Sequence, residues 1–168
     1  IRARVESTLG FRVGGKLINR QAELGQRVKA GQLLAQIDPQ DYRVAADAAA
    51  AQLIAAQSNR DVAVADLKRY QGLFDQGFIS VAELERRQAS EKSAQAQWRQ
   101  AQAQNTVQGN QSNYTHLLAD GAGVITSIDA SAGQVVTAGQ PVVRLALDGP
   151  RDVVFSVSED KLATLKAG

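Results

Sequence analysis

Between Pro39 and Gln108 the apolar residues recur in steps of four and three, whereas on either side of that stretch they alternate with polar residues between glycines. The first pattern predicts helix and the second predicts short, half-buried strands. In the middle, Tyr42, Ala46, Ala49, Leu53, Ala56, Ala63, Leu67, Tyr70 and Phe74 form a heptad stripe interrupted only at Arg60. Such a narrow stripe suits a helix lying along one partner. A second helix is expected over roughly 80–115, rich in Gln, with less regular apolar positions at Leu84, Ala89, Ala94, Trp98 and Ala101. In the flanks, Val13, Leu17, Val28, Leu34 and Ile37 carry the alternation.

Punctuation between the helices is local and chemical. Asp38 can accept a backbone N–H at the start of the first helix, with Pro39 supplying a preset φ and Asp41 a favourable charge in the first turn. Gly77 is placed to end that helix in a left-handed cap. Ser80 with Glu83 has the spacing of a capping box, and Ile79 with Leu84 that of the accompanying hydrophobic staple. Two arms of about 36 residues, at about 1.5 Å per residue, make an antiparallel hairpin about 54 Å long. Its Ala and Gln side chains bury little apolar area.

The flanks hold an internal repeat. Gly15, Gly25 and Gly31 are spaced ten and then six residues apart, and Gly123, Gly133 and Gly139 keep the same spacing. Gly-Gln-x-Val-x-Ala-Gly-Gln occurs at 25–32 and again at 133–140. The six glycines are expected at structural turns, with Gly31 and Gly139 in equivalent positions, where any need for positive φ would make valine costly. Neither copy can bury its apolar face alone, so the two must pair into one small sandwich interrupted in sequence by the hairpin.

Two such half-motifs resemble the halves of a biotinyl/lipoyl domain, and halves split by a long α-hairpin resemble the periplasmic adaptor family, the membrane fusion proteins of tripartite efflux pumps. Asp38-Pro39-x-Asp41-Tyr42 and Asn113-Tyr114-Thr115 match that family's habit at the two junctions. Arg69, Leu73 and Ser80, spaced four and then seven, match the tip residues with which adaptors of the AcrA and MexA type meet an outer membrane channel. The resemblance implies an α+β fold: a split lipoyl-like β-sandwich over 9–38 and 116–148, a coiled-coil hairpin over 39–115, a barrel-side strand within 1–8, and the start of a β-barrel domain over 149–168. In that last segment Arg151 to Leu162 reads as a strand followed by a short helix. It further implies an adaptor in the periplasm of a Gram-negative envelope, anchored to the inner membrane by a segment outside this chain. Its partners would be an inner membrane transporter of the RND class, a TolC-type channel and copies of itself, six to a ring. An adaptor of an ABC-type exporter or type I secretion system is the alternative the motifs leave open. A biotinyl or lipoyl carrier domain is a further one.

Composition narrows the chemistry. The 168 residues contain no Cys and one His, which excludes thiolate metal sites, iron–sulfur clusters and cysteine nucleophiles. Nineteen Lys and Arg against 17 Asp and Glu leave a formal charge of +2, too small a surplus to mark a nucleic-acid binder. No run of about 18 apolar residues is present. The chain opens at Ile1 and lacks Met, as expected of a piece of a longer protein. Gly10 to Lys16 satisfies most of a phosphate-loop pattern, but Leu17 stands where Ser or Thr would hold Mg²⁺. A carrier lysine is not expected, because the turn that would bear it is replaced by the hairpin and no Lys follows Pro39 until Lys68. The lone His116 has no Cys or second His to share a metal. No catalytic residue, cofactor or metal is therefore expected.

Overall fold

The computed structural model describes residues 2–152 and divides them into two compact units, one containing residues up to Ile37 and from His116, the other Asp38–Thr115. The expected strand and helix after Asp152 lie outside the described residues.

The first unit is a sandwich of two four-stranded antiparallel sheets. In chain order its first strands are β1 (Arg2–Ala3), β2 (Glu6–Leu9), β3 (Gly15–Arg20), β4 (Arg27–Val28) and β5 (Leu33–Ile37). After the hairpin come β6 (His116–Leu118), β7 (Gly123–Ile128), β8 (Val135–Val136), β9 (Val143–Leu147) and β10 (Arg151–Asp152). One sheet runs β2-β9-β7-β4 and the other β6-β5-β3-β8. The halves thus exchange strands: β4 completes the sheet of the second repeat and β8 that of the first. Phe11, Leu17, Leu34, Ile37, Ile125, Val142, Val143 and Leu145 fill the interior, each at most 1% exposed. Burial on this scale is available only when both repeats are present, which is the physical reason for the pairing.

The repeated Gly-Gln has a structural meaning beyond the glycine. Gly25, Gly31, Gly133 and Gly139 have φ of +79, +76, +91 and +80°, as the third residue of a type II turn requires. In each turn the following Gln donates its backbone N–H to the residue three before it, and its side-chain oxygen accepts that residue's N–H. The side-chain bonds run from Glu23 to Gln26 at 2.9 Å, Lys29 to Gln32 at 3.0 Å, Ser131 to Gln134 at 3.3 Å and Thr137 to Gln140 at 3.1 Å. The glycine N–H groups then bond across the repeat: Gly31 to the Ala119 carbonyl at 2.7 Å, and its counterpart Gly139 to the Phe11 carbonyl at 2.9 Å. A side chain at Gly31 or Gly139 would meet nothing within 4 Å, so only the backbone conformation demands glycine there. Gly31→Val or Gly139→Val should destabilise the sandwich by about 1–3 kcal/mol. Gly31→Asn, which tolerates positive φ, should cost less; urea denaturation of the three variants measures the difference.

Two expectations change in this unit. Gly15 and Gly123 do not sit in turns but open β3 and β7 with ordinary φ. Their role is close approach: a Cβ on Gly15 would lie 3.1 Å from Ile37 Cδ1, and one on Gly123 would lie 3.0 Å from the carbonyl carbon of Ala146, its oxygen being nearer still. The barrel-side strand expected within 1–8 is also divided. Glu6–Leu9 pairs with β9 inside the sandwich, and only Arg2–Ala3 pairs with Arg151–Asp152. Leu9 and Val143 are both buried at that pairing, so burial assigns Glu6–Leu9 to the sandwich.

The second unit is the hairpin, α1 (Gln40–Asp75) and α2 (Val81–Asn113). Pro39, not Asp38, occupies the cap position of α1; the Asp38 carboxylate still accepts the Gln40 N–H at 3.1 Å. Just past α2 Thr115 is fully buried and its hydroxyl donates to the Ser112 carbonyl at 2.7 Å. No helix among the described residues is long and apolar enough to cross a membrane.

Candidate functional site

The hairpin's tip gathers the residues singled out by spacing, and its construction starts from the seam. All nine predicted seam residues of α1 are buried or half-buried, and so is Arg60, which completes the stripe instead of breaking it. Its guanidinium lies 4.6 Å from the centre of the Trp98 ring, so its charge faces a π-system and its stem packs along the seam. The seam of α2 is as regular as that of α1 but largely polar: Leu84, Arg87, Glu91, Ala94, Trp98, Ala101, Asn105, Gln108 and Ser112 follow steps of three and four, all buried or half-buried. Ala89 lies outside it and is exposed. Hydrophobicity located four of these positions and misplaced one, because the inward polar residues carry no apolar signal.

A groove of about 320 Å³ lined by Gln52, Asn59, Gln97 and Gln104 runs on one side of this seam. A second, of about 370 Å³, shares Asn59 and Gln97 and reaches Asp66 and Ser90. Small seam residues leave this space open, as expected of an Ala-rich contact.

The tip itself is a backbone motif. Gly77 has φ +77°, its N–H bonds to the Phe74 carbonyl and the Phe78 N–H to the Leu73 carbonyl, both at 2.9 Å. These are the two bonds of a Schellman motif, which only a residue free to adopt positive φ completes without strain. Ser80 then caps α2, its hydroxyl oxygen accepting the Glu83 N–H at 3.3 Å. Only that half of the expected capping box is formed. The Glu83 carboxylate instead holds Arg86 at 2.8 Å and Arg87 at 2.7 Å. Ile79 is half-buried and Leu84 buried, as a staple across the cap requires.

Of the three tip residues named from sequence, Arg69 and Leu73 share one stripe of α1 and Ser80 begins the opposite arm. Arg69 is 67% exposed and paired with Asp66 one turn earlier. Leu73 is half-buried and Ser80 exposed. Two residues that spacing did not reveal flank Ser80 closely in sequence, Phe78 at 73% exposure and Val81 at 57%. Large apolar side chains held in water by a fixed turn are a feature of contact surfaces. Behind this surface Arg87 lies 4.2 Å from the Tyr70 ring centre and donates to the Tyr70 hydroxyl at 3.3 Å. The hydrogen bonds that Arg87 donates to the Glu83 carboxylate raise its pKa above the ordinary value. No cluster of three potential metal ligands occurs among the described residues. The tip offers charge, apolar surface and a cap hydroxyl.

Comparison with known proteins agrees with this architecture. Residues 5–146 match the family described as RND MFP, barrel-sandwich hybrid domain. The multidrug resistance protein MdtA of Yersinia pestis is 32% identical over 160 residues, covering 94% of this chain and 36% of that protein, so the chain spans about a third of this relative's length. Among solved structures, MacA from Actinobacillus actinomycetemcomitans superposes with a TM-score of 0.58 at 26% identity, over 87% of this chain and 50% of that one. A MacA–MexA chimera carrying the Pseudomonas aeruginosa MexA α-hairpin gives 0.57 at 27% identity, over 88% and 49%.

Proposed function

The chain belongs to the RND membrane fusion proteins, the periplasmic adaptors, and from that premise we propose that it serves a tripartite multidrug efflux pump, linking an inner membrane RND transporter to a TolC-type outer membrane channel. The observation that carries this reading is the tip, where Arg69, Leu73 and Ser80 stand at the ends of two helices joined by a hydrogen-bonded turn, with Phe78 and Val81 exposed on either side of Ser80 in sequence. Such a surface can meet the helical ends of a channel through complementary charge at Arg69 and apolar contact at Leu73. The sandwich contributes by setting a ring of copies, six in the family's manner, in the periplasm. The relative's role in multidrug resistance points to drugs as the cargo.

The test is capture of the channel. Residues 1–168 contain no cysteine, so Gln76→Cys, in full-length protein with any cysteine outside that stretch replaced by serine, gives a unique attachment point at the exposed turn. A thiol-linked photocrosslinker there is expected to trap a TolC-type channel in cells, and deleting the gene is expected to sensitise the cells to exported drugs. Cross-links only to other proteins, with unchanged susceptibility in the deletion strain, would overturn the reading.

A further inference from the structure

The polar residues behind the tip form one connected chain of contacts that runs from Ser80 to Arg69. The Ser80 hydroxyl oxygen holds the Glu83 N–H. One Glu83 oxygen accepts from Arg87 Nε at 3.0 Å and Nη2 at 2.7 Å, the other from Arg86 at 2.8 Å. Arg87 crosses to the other arm, stacking over Tyr70 at 4.2 Å and donating to its hydroxyl. Next to Tyr70 in sequence, Arg69 lies 5.8 Å from the same ring centre and pairs with Asp66. Arg87 and Glu83 are only partly exposed, with side-chain values of 35% and 22%. Both ends of this chain are residues of the surface already described.

The physical need for such a chain follows from its neighbours. Apolar seam residues at this end, Leu67, Phe74 and Leu84, hold the arms together, but hydrophobic contact is non-directional and permits one helix to roll on the other. A guanidinium whose plane is set by Glu83 on one helix and by an aromatic ring on the other does not permit it, because its planar donors and its stacking face must be satisfied at once. We infer that Arg87, oriented by Glu83 and seated on Tyr70, is a positioning residue that locks the rotation of α1 against α2 and thereby presents Arg69, Leu73 and Ser80 as one rigid contact surface. This rests on the reading of the tip as the surface that meets the channel. Arg87 itself stands behind that surface and acts through the residues it orients.

Full-length protein carrying Gln76→Cys provides the assay, combined with Arg87→Met, Arg87→Lys and, as control, Arg69→Asp. Methionine keeps the apolar stem and lysine keeps the charge, but neither has the planar fork. Both Arg87 variants are expected to lower the yield of channel cross-link about fivefold and to speed amide hydrogen exchange over 76–84 by a similar factor. Exchange in the rest of the hairpin and the melting temperature are expected to stay at the unsubstituted values. Wild-type cross-linking in Arg87→Met would overturn the inference, and so would exchange that rises equally along the whole hairpin, which is the mark of an ordinary stability residue. Full cross-linking restored by Arg87→Lys would also overturn it, since charge alone would then suffice. If Arg69→Asp abolishes cross-linking while Arg87→Met does not, the positioning role falls and the tip reading stands. If neither changes it, the tip reading falls and the positioning role with it.

Discussion

Replacing Gly123 by alanine is expected to destabilise the sandwich by about 3 kcal/mol or more, and thus to leave much of the protein unfolded at 37 °C. The added Cβ would press on the backbone of β9, 3.0 Å from both the Ala146 carbonyl carbon and Leu147 Cα. Backbone atoms in a paired strand cannot rotate away as a side chain can. The strand would have to leave its register with β7, where Val124, Ile125 and Ile128 pair with Ala146, Leu145 and Val143. Gly25→Ala supplies the contrast: its Cβ would meet nothing within 4 Å, and only the +79° φ resists it. Its cost should be about 1 kcal/mol. Denaturant midpoints of the two variants measure the difference; equal values would show that strand approach at Gly123 relaxes without penalty.

Charge reversal at Arg69, or Leu73→Asp, is expected to abolish drug efflux by full-length protein while helicity by circular dichroism stays unchanged. Arg69 is 67% exposed, so its own contribution to folding is small, and the new carboxylate adds only a like-charge neighbour one turn from Asp66, worth about 0.2–0.5 kcal/mol. At an interface the same reversal turns attraction into repulsion between desolvated groups, which costs several kcal/mol. Drug susceptibility matching that of the deletion strain is the expected result. Wild-type resistance in cells carrying Arg69→Asp would remove the tip from the contact.

Features of short range were legible in the sequence. The break between helices at Gly77, the Ser80 cap and the α1 seam depend on residues within one or two turns, so their spacing carries the signal. Asp38 keeps its expected bond to the Gln40 N–H, while the cap position itself falls one residue later, at Pro39, a difference of one residue of backbone conformation. Ala89 was misplaced for a related reason: alanine is tolerated on either face of a helix and says little about which way it points.

The sequence by itself determined the two long helices, the turn between them, and a duplicated strand unit whose apolar residues have to be covered by its twin. Each of these follows from periodicity or from a glycine that the backbone requires, and a single copy already displays it. Tertiary structure alone decided what the partners across a contact decide. Gly15 and Gly25 look alike in the repeat, yet one makes room for Ile37 and the other supplies a positive φ, a distinction made by the strand that passes nearby. Arg60, Arg87, Glu91, Asn105 and Gln108 are polar, yet they lie half-buried on the seam, where aromatic rings of the facing helix, Trp98 for Arg60 and Tyr70 for Arg87, receive the two guanidinium groups. Burial of a polar group is settled by the partner it finds, and that partner is set by the fold.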